Sequence, residues 1–457
     1  MTIERVNAEV STVLGRVPAQ WAVDRLRDRL GPIVGGEWGD DPDLTDDGVV
    51  IPVVRVADIR GLDVATDTLT LRRVKRSKLD GRLIGPRTIL LEKSGGGERS
   101  PVGRAVLGRA LTVDAICSNF MAKTDCGPSV MPQFVAYLLD AAYAAGINSA
   151  HIQQTTGIQN LRVADYLNSK VGVPSLSEQV CIAALLDRSC KAIDDAIAAK
   201  QEQLVLLDGV KRDAIQAAVT RGLARRPALR ATDNTWIAEV PEKWGLVSLK
   251  RVAYVHSGLT LGKEYDGPLV ERPYLRVANV QDGHLDLSEV TTIEIPPAVA
   301  HRLTLRVGDV LMTEGGDLDK LGRGTLWNGE VPDCLHQNHI FVVRCFTHKL
   351  VPAFLAYLTA SQYGRDYFEA TGKKTTNLAA TNSTKVGQFP IPLPPLAEQR
   401  AICAHLDDRL GHLLQVAECI QDQIDVLTDY CNSTIHEYVT GQRRVPVAQA
   451  KTAFAYG

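Results

Sequence analysis

Between Leu406 and Cys431 the apolar side chains return in steps of four and three, at Leu406, Leu410, Leu413, Ala417, Ile420, Ile424, Leu427 and Cys431. That alternation marks a coiled-coil seam rather than the broader stripe of an ordinary surface helix. Ile435 follows after four more residues, a small slip of phase. An earlier stretch keeps the phase through Leu186, Cys190, Ile193, Ile197, Leu204, Leu207 and Ile215, with Lys200 and Lys211 set on the seam. No proline interrupts either run. Pro174 and Pro394-Pro395 stand at the starts, where a missing N–H costs little, and Glu178 and Glu398 fall in the first turn, where the helix dipole favours a carboxylate. The pattern predicts two helices of about 45 residues, each roughly 65 Å long.

The two stretches are copies of one another. Residues 174–220 align without a gap on 394–440, with 14 of 47 positions identical, among them Glu178/Glu398, Gln179/Gln399 and Asp187/Asp407. Upstream, Val17-Pro18-Ala19-Gln20-Trp21 recurs as Val240-Pro241-Glu242-Lys243-Trp244, and Val54-Arg55-Val56-Ala57-Asp58-Ile59 recurs as Leu275-Arg276-Val277-Ala278-Asn279-Val280. Pro132-Gln133-Phe134-Val135-Ala136-Tyr137-Leu138 returns as Pro352-Ala353-Phe354-Leu355-Ala356-Tyr357-Leu358. Matches in the same order mean a variable domain and a long helix, each present twice. Short β-like runs at 49–56, 87–91, 247–255 and 340–345, with helices at 133–145 and 353–367, make the variable parts α+β. Two long helices separated by a whole domain are expected to pair antiparallel, giving the chain a pseudo-twofold repeat. The boundaries are 1–172 and 240–392 for the domains, 173–222 and 393–443 for the helices, 223–239 for a linker and 444–457 for a tail.

Composition narrows the setting. At 457 residues with 45% hydrophobic content, the chain is long enough for two to four domains with real cores. The nine cysteines include no Cys-x-x-Cys, and no stretch is apolar enough for a membrane span, so a reducing cytoplasmic location without a membrane is expected. Net charge is only −2, yet residues 71–109 hold eleven Lys/Arg against three acids, a local basic face.

No catalytic constellation emerges. Gly258-Leu259-Thr260-Leu261-Gly262-Lys263-Glu264 imitates a phosphate loop but is one residue short and ends in Glu rather than Ser/Thr. His336-Gln337-Asn338-His339 lacks a third metal ligand in pattern, and local hydrogen bonding explains it better. Trp21 and Trp244 occupy repeated framework positions and are assigned to core packing.

The run Pro392-Leu393-Pro394-Pro395-Leu396-Ala397-Glu398-Gln399, with its echo Val173-Pro174-Ser175-Leu176-Ser177-Glu178-Gln179, resembles the specificity subunits of type I restriction-modification systems. The Val-Pro-x-x-Trp openings, the Asn160-Leu161 and Asn377-Leu378 pairs, and Gly308-Asp309-Val310-Leu311 with Gly322-Arg323-Gly324 extend the likeness over residues 17–443. The first copy departs from it in having Ser175 where the second has Pro395. The resemblance implies a non-catalytic subunit with two target recognition domains, each reading one half of a split, asymmetric sequence in double-stranded DNA. It implies that the helices set the gap between half-sites and dock two copies of a DNA adenine methyltransferase subunit, which a restriction-translocase subunit can join. S-adenosylmethionine, and ATP with magnesium, would then belong to the partners and no cofactor to this chain. The methyltransferase tetrapeptide Asn/Asp-Pro-Pro-aromatic is absent here. A coiled-coil adaptor with protein-binding end domains is the competing reading.

Reading DNA needs donors and acceptors at base edges together with cations for phosphates. Candidates in the first domain are Arg72, Arg73, Lys75, Arg76 and Lys78, Lys93-Ser94 beside a triple glycine, and Gln153-Gln154-Thr155. Those in the second are Thr313, Gln337-Asn338-His339 and Lys373-Lys374-Thr375-Thr376. The partner seam comprises Leu186, Ile193, Ile197, Leu204 and Leu207 with Leu406, Leu410, Leu413, Ile420, Ile424 and Leu427.

Overall fold

A computed structural model describes residues 9–44, 48–67, 69–98, 100–155, 157–316, 321–374 and 379–445. Its four principal helices are α1 (Pro132–Ala144), α2 (Leu176–Arg221), α3 (Pro352–Ala360) and α4 (Leu396–Val439). The chain divides into two compact units whose boundaries fall inside the long helices. Unit 1 takes residues 1–200 and 422–457, and unit 2 takes 201–421. Each unit therefore holds the beginning of one long helix and the end of the other.

Unit 1 is built on a four-stranded sheet in the order Ala105–Leu107, Thr88–Glu92, Met121–Asp125, Val34–Gly35. All five residues of the Thr88–Glu92 strand are buried. Successive side chains of a strand point to opposite faces, so this strand serves two cores. Ile89 and Leu91 join Phe134, Leu138 and the first turns of α2, while Leu90 joins Val54, Ile84 and Met121 on the other face. Beyond that second face lies a three-stranded sheet, Ile116–Cys117, Val49–Val54, Thr70–Val74, with one parallel and one antiparallel pairing.

Unit 2 repeats this plan strand for strand. Its four-stranded sheet runs Gly324–Leu326, Asp309–Thr313, Ile340–Cys345, Ala253–Ser257, and its three-stranded sheet runs Leu335–His336, Val270–Leu275, Thr291–Ile295. Val310 and Met312 face Phe354 and Phe368, while Leu311 faces Leu275 and Trp327. The α+β architecture expected from the sequence thus holds, and the duplication reaches well beyond the segments whose residues match.

Three repeated motifs have a shared structural reason. Gln179 is fully buried; its Nε2 donates to the Pro174 carbonyl (2.9 Å) and its Oε1 accepts from the Met131 N–H (2.8 Å) at the start of α1. Gln399 does the same in unit 2, donating to Pro394 (2.8 Å) and Lys349 (2.9 Å) and accepting from Val351 N–H (2.8 Å). Each glutamine satisfies backbone groups left over at the ends of two helices and locks domain to long helix. One turn-pair on, Asp187 accepts from the Tyr137 hydroxyl (2.8 Å), and Asp407 accepts from that of Tyr357. The tryptophans of the Val-Pro-x-x-Trp motif pack against the C-terminal ends of the long helices. Gly222 (φ +75°) and Gly441 (φ +72°) stand just beyond those ends in the left-handed conformation of a helix stop. A Cβ on Gly222 would lie 3.1 Å from Trp244 Cζ2, and one on Gly441 would lie 2.9 Å from Trp21 Cζ2. Core packing of Trp21 and Trp244 is what the structure shows.

Within unit 1 the segments of α2 and α4 run in opposite directions. Glu178 pairs with Arg444 (2.9 Å), and twelve residues further along α2 the Cys190 thiol meets that of Cys431 (3.4 Å). The heptad positions are the ones withdrawn from solvent. Leu186, Ile193, Leu406, Ile420 and Ile424 are buried, and Ile197, Leu204, Leu207, Leu410, Leu413 and Leu427 are half-buried among exposed neighbours. Lys200, on the seam, is half-buried and donates to Gln423, while Lys211 is exposed.

Some expected elements are divided. The run 247–255 splits into Gly245–Ser248 and Ala253–Ser257, because the turn at Leu249–Arg251 buries Leu249 between them. The helix expected over 353–367 breaks at Ser361, whose Oγ accepts from Gly364 N–H (3.2 Å) and starts a second helix, Gln362–Thr371. The stretch 223–239, expected as a linker, contributes the strand Leu229–Ala231, paired with Glu239–Pro241.

Gln179→Ala and Gln399→Ala should each destabilise the unit that holds them by about 1–3 kcal/mol, the cost of orphaning buried backbone partners. Gln179→Glu should not rescue unit 1, since a carboxylate cannot donate to Pro174. Urea unfolding of the purified variants measures both.

Candidate nucleic-acid interface

The third sheet of each unit gathers the polar residues expected to face DNA. In unit 1 it has the order Ser94–Gly95, Ile158–Leu161, Ile152–Thr155. The central Thr88–Glu92 strand leads directly into it through Lys93. Ser94 pairs with Asn160 and hydrogen-bonds to its side-chain oxygen, and across the hairpin Gln153 faces Asn160 and Gln154 faces Gln159. Lys93, Ser94, Gln153 and Gln154 are thereby assembled in one place, the two glutamines exposed. Thr155 closes the outer strand.

Arg72 and Arg73 lie elsewhere, on Thr70–Val74. The Arg73 guanidinium donates to the carbonyls of Pro42 (2.9 Å) and Gly48 (2.9 Å), which ties its strand to the chain before Val49–Val54. Arg72 lies over the Trp38 ring (4.9 Å to the centroid) and donates to Gly39 O (3.2 Å). Lys78 pairs with Glu37 (3.1 Å), and Lys75 and Arg76 stand exposed beside it. The basic run is therefore two populations: arginines that brace the fold, and exposed cations at the turn after the strand.

Unit 2 places Gly315–Gly316, Ala379–Ala380 and Lys373–Lys374 in the equivalent sheet. Thr313 ends the central strand and is buried. Gln337, Asn338 and His339 form the turn before Ile340–Cys345, where His339 Nδ1 meets Glu314 Oε2 (2.7 Å). The Glu314 carbonyl accepts from Thr381 N–H (2.8 Å), which brings this turn to the sheet that carries exposed Lys373. Lys374 is the next strand residue, and Thr375 and Thr376 lie outside the described residues.

Sequence reasoning passed over five positions beside these sheets, Glu92 among them. Trp38, Arg55, Asn119 and Phe120 line a cleft of about 380 Å³ in unit 1, together with Glu92 and Ser94. Phe120, 46% exposed, was the available signal: an aromatic ring left in solvent in a turn between buried strands. Arg55 forks onto Asp58 (2.7 and 3.1 Å), and its N–H also reaches that carboxylate (2.8 Å). Burial of Asp58 acts to raise its pKa, but the Arg55 contacts outweigh it and hold the group below its ordinary value. In unit 2 the same turn is closed by Asn279, which accepts from Arg276 N–H (2.7 Å).

The two imitations of other chemistry have structural explanations. Gly258 is needed because a Cβ there would fall 2.2 Å from the His336 carbonyl oxygen, and Lys263 is exposed away from any phosphate cradle. His336 is buried and donates from Nδ1 to the Ile340 carbonyl (2.9 Å). Among the described residues no group of three or more His, Cys, Asp or Glu could hold a metal, and no helix is long and apolar enough to cross a membrane.

Known proteins resemble this chain in both sequence and fold. A protein assigned as the MjaX type I restriction enzyme specificity subunit of Methanocaldococcus jannaschii is 28% identical over 196 residues, 42% of this chain and 45% of that one, so the match spans less than half of that relative. The type I restriction enzyme StySPI specificity subunit of Salmonella potsdam is 23% identical over 387 residues, 84% of this chain and 79% of its own. A chain from a solved structure described as showing complex assembly and conformational transition of the type I R-M system superposes with a TM-score of 0.68 at 16% identity, covering 93% of this chain and 99% of that one. The likeness to this structure concerns the fold. No protein-family model matches the chain.

Burial depresses the His336 pKa to about 4. Its unfolded value is about 6.5, so between these values the unfolded chain binds the extra proton and stability falls as pH falls. Unit 2 should lose about 2 kcal/mol from this group between pH 7 and pH 5. In urea unfolding, His336→Leu should lack that part of the slope.

Proposed function

We infer that this chain, a relative of the type I restriction enzyme specificity subunits, is the DNA sequence-reading subunit of such a system. The observation that carries the reading is one framework built twice with unlike chemistry at equivalent positions. Following the sheet register, Glu92 corresponds to Thr313, Ser118-Asn119-Phe120 to Gln337-Asn338-His339, and the glutamine hairpin to Lys373–Lys374. Two surfaces on one framework that differ in side-chain chemistry suit two different half-sites. A symmetric adaptor would have no reason to diverge there.

In this reading residues 1–172 and 240–392 are the target recognition domains, and α2 and α4 form an antiparallel coiled coil with a pseudo-twofold axis. A helix of 46 residues, as α2 is, spans roughly 70 Å at 1.5 Å per residue, about two turns of B-DNA. The helices act as the ruler between half-sites and as the seat for two methyltransferase subunits, which bring S-adenosylmethionine. A restriction-translocase subunit, where present, brings ATP and magnesium. This chain contributes recognition and no catalysis. Phosphate contact is supported at Lys75 and Arg76, and base-edge contact at Gln153 and Gln154, by exposure of those side chains.

The test is co-expression with an adenine methyltransferase subunit, whose gene the reading expects beside this one, followed by methylation sequencing. A split, asymmetric motif is expected only when this chain is present. Methylation of a continuous site, or none, would refute the reading. Binding of the complex to DNA should weaken steeply with salt, whereas a protein-binding adaptor would show no such dependence. Deleting one heptad from both helices should shorten the spacer and leave both half-sites unchanged; altered half-site bases would overturn the ruler.

A further inference from the structure

The cleft of unit 1 holds a carboxylate that the framework does not fully use. Glu92 ends the buried central strand, and its side chain is 2% exposed. Oε2 accepts from Arg104 Nε (3.0 Å). Oε1 accepts no hydrogen bond among the described residues; a Cβ placed on Gly95 would lie 3.9 Å from it, at the wall of the cleft. A negative charge sunk beside a DNA-facing sheet repels phosphate, and its chemical use is to accept from a donor. The other walls are Trp38, backed by Arg72, and Phe120, with Ser94 and Asn119 at the rim. The cleft of about 380 Å³ lies in the size range of pockets that enclose small planar ligands, roughly 300–1,000 Å³.

We propose that this cleft takes a single nucleobase turned out of the duplex, its ring against Trp38 and Phe120 and its exocyclic amino group donating to Glu92 Oε1. The inference rests on the reading of this chain as a DNA reader and names what one of its surfaces recognises. Once out of the stack, adenine, cytosine and guanine each offer an exocyclic amine that can donate to a carboxylate; thymine has none and flanks its one ring N–H with two carbonyl oxygens. A base that stays stacked offers only its edge to a protruding side chain. Glu92 sits at the end of a strand buried along its whole length and cannot protrude, so the base must come to it. Aromatic walls replace the stacking that the base gives up. The feature belongs to one half-site: by strand register unit 2 has Thr313 in place of Glu92, His339 in place of Phe120 and Thr260 in place of Trp38. Lys93 and Arg104 offset the carboxylate's charge toward the phosphates.

The experiment uses the full chain assembled with its methyltransferase subunits. Methylation sequencing of the Glu92→Gln complex should show one position of one half-site, a base other than thymine for the native chain, relaxed about tenfold, because an amide presents donor or acceptor. The other half-site should not change. Placing an abasic site opposite that position removes the pairing that the base must break. Binding should tighten about tenfold, and Phe120→Ala, a surface change, should abolish that gain. An unchanged motif with Glu92→Gln in an active complex overturns the proposal, as does a gain that is absent with the native chain or persists with Phe120→Ala. If the native complex recognises no split sequence, the reading beneath the proposal fails with it, a result distinct from an unchanged motif.

Discussion

The buried amides of Gln179 and Gln399 are the contacts on which the arrangement turns. Each reaches two backbone segments: the proline-led entry to a long helix and the N–H of the residue that opens the helix packed on the central sheet. A glutamine can do this because its amide both donates and accepts, and a neutral group pays less than a charge for full burial. The sheet-and-helix part of each unit and the first turns of its long helix are consequently fastened together. Under the proposed function, position on that helix becomes position of the reading surface, which is what a ruler would demand of its attachments.

The central strands extend the same logic outward. Thr88–Glu92 and Asp309–Thr313 present alternate residues to two cores, so the interior of each strand stays apolar, Thr88 gives way to Asp309 at its start, and its far end varies too. Variation appears there, as glutamate in one unit and threonine in the other. Below that end the framework also differs in its bracing. In unit 1 Arg109 joins Asp63 (3.0 Å) to Asp187 (3.2 Å), fastening domain to α2 a second time. In unit 2 Asp407 meets no arginine among the described residues, and a cleft of about 650 Å³ opens beside it, lined in part by Lys211, Asp282 and Arg365. The two halves share a plan and differ in how the sheet is braced against the long helix.

Much of this was legible in the chain because it is written in local periodicity. The four-three steps of Leu406 to Cys431 name the seam directly, and the paired motifs mark helix starts whose physical cause is the glutamine contact. Strand order was not legible, since pairing Thr88–Glu92 with both Ala105–Leu107 and Met121–Asp125 depends on contacts remote in sequence. Charge was misleading for the same reason. Arg73 and Lys75 look alike in a basic run, yet alternation along the strand sends one inward to the carbonyls of Pro42 and Gly48 and leaves the other in solvent. Glu92 escaped notice because, in Thr-Ile-Leu-Leu-Glu, it reads as the polar end of an apolar run. Only the cleft beside it gives it meaning.

The division of the chain also bears on its synthesis. Unit 2 is contiguous, residues 201–421, and every part of it exists once residue 421 has been made. Unit 1 is not: Trp21 packs on Gly441, 420 residues later. At about 5–20 residues per second the ribosome takes roughly 20–80 s to supply that contact. Through that interval the N-terminal domain waits with Trp21, Leu186 and Cys190 deprived of Ile435, Tyr438 and Val439, the residues that complete their core. Of the two units, the one begun earlier is the later to close.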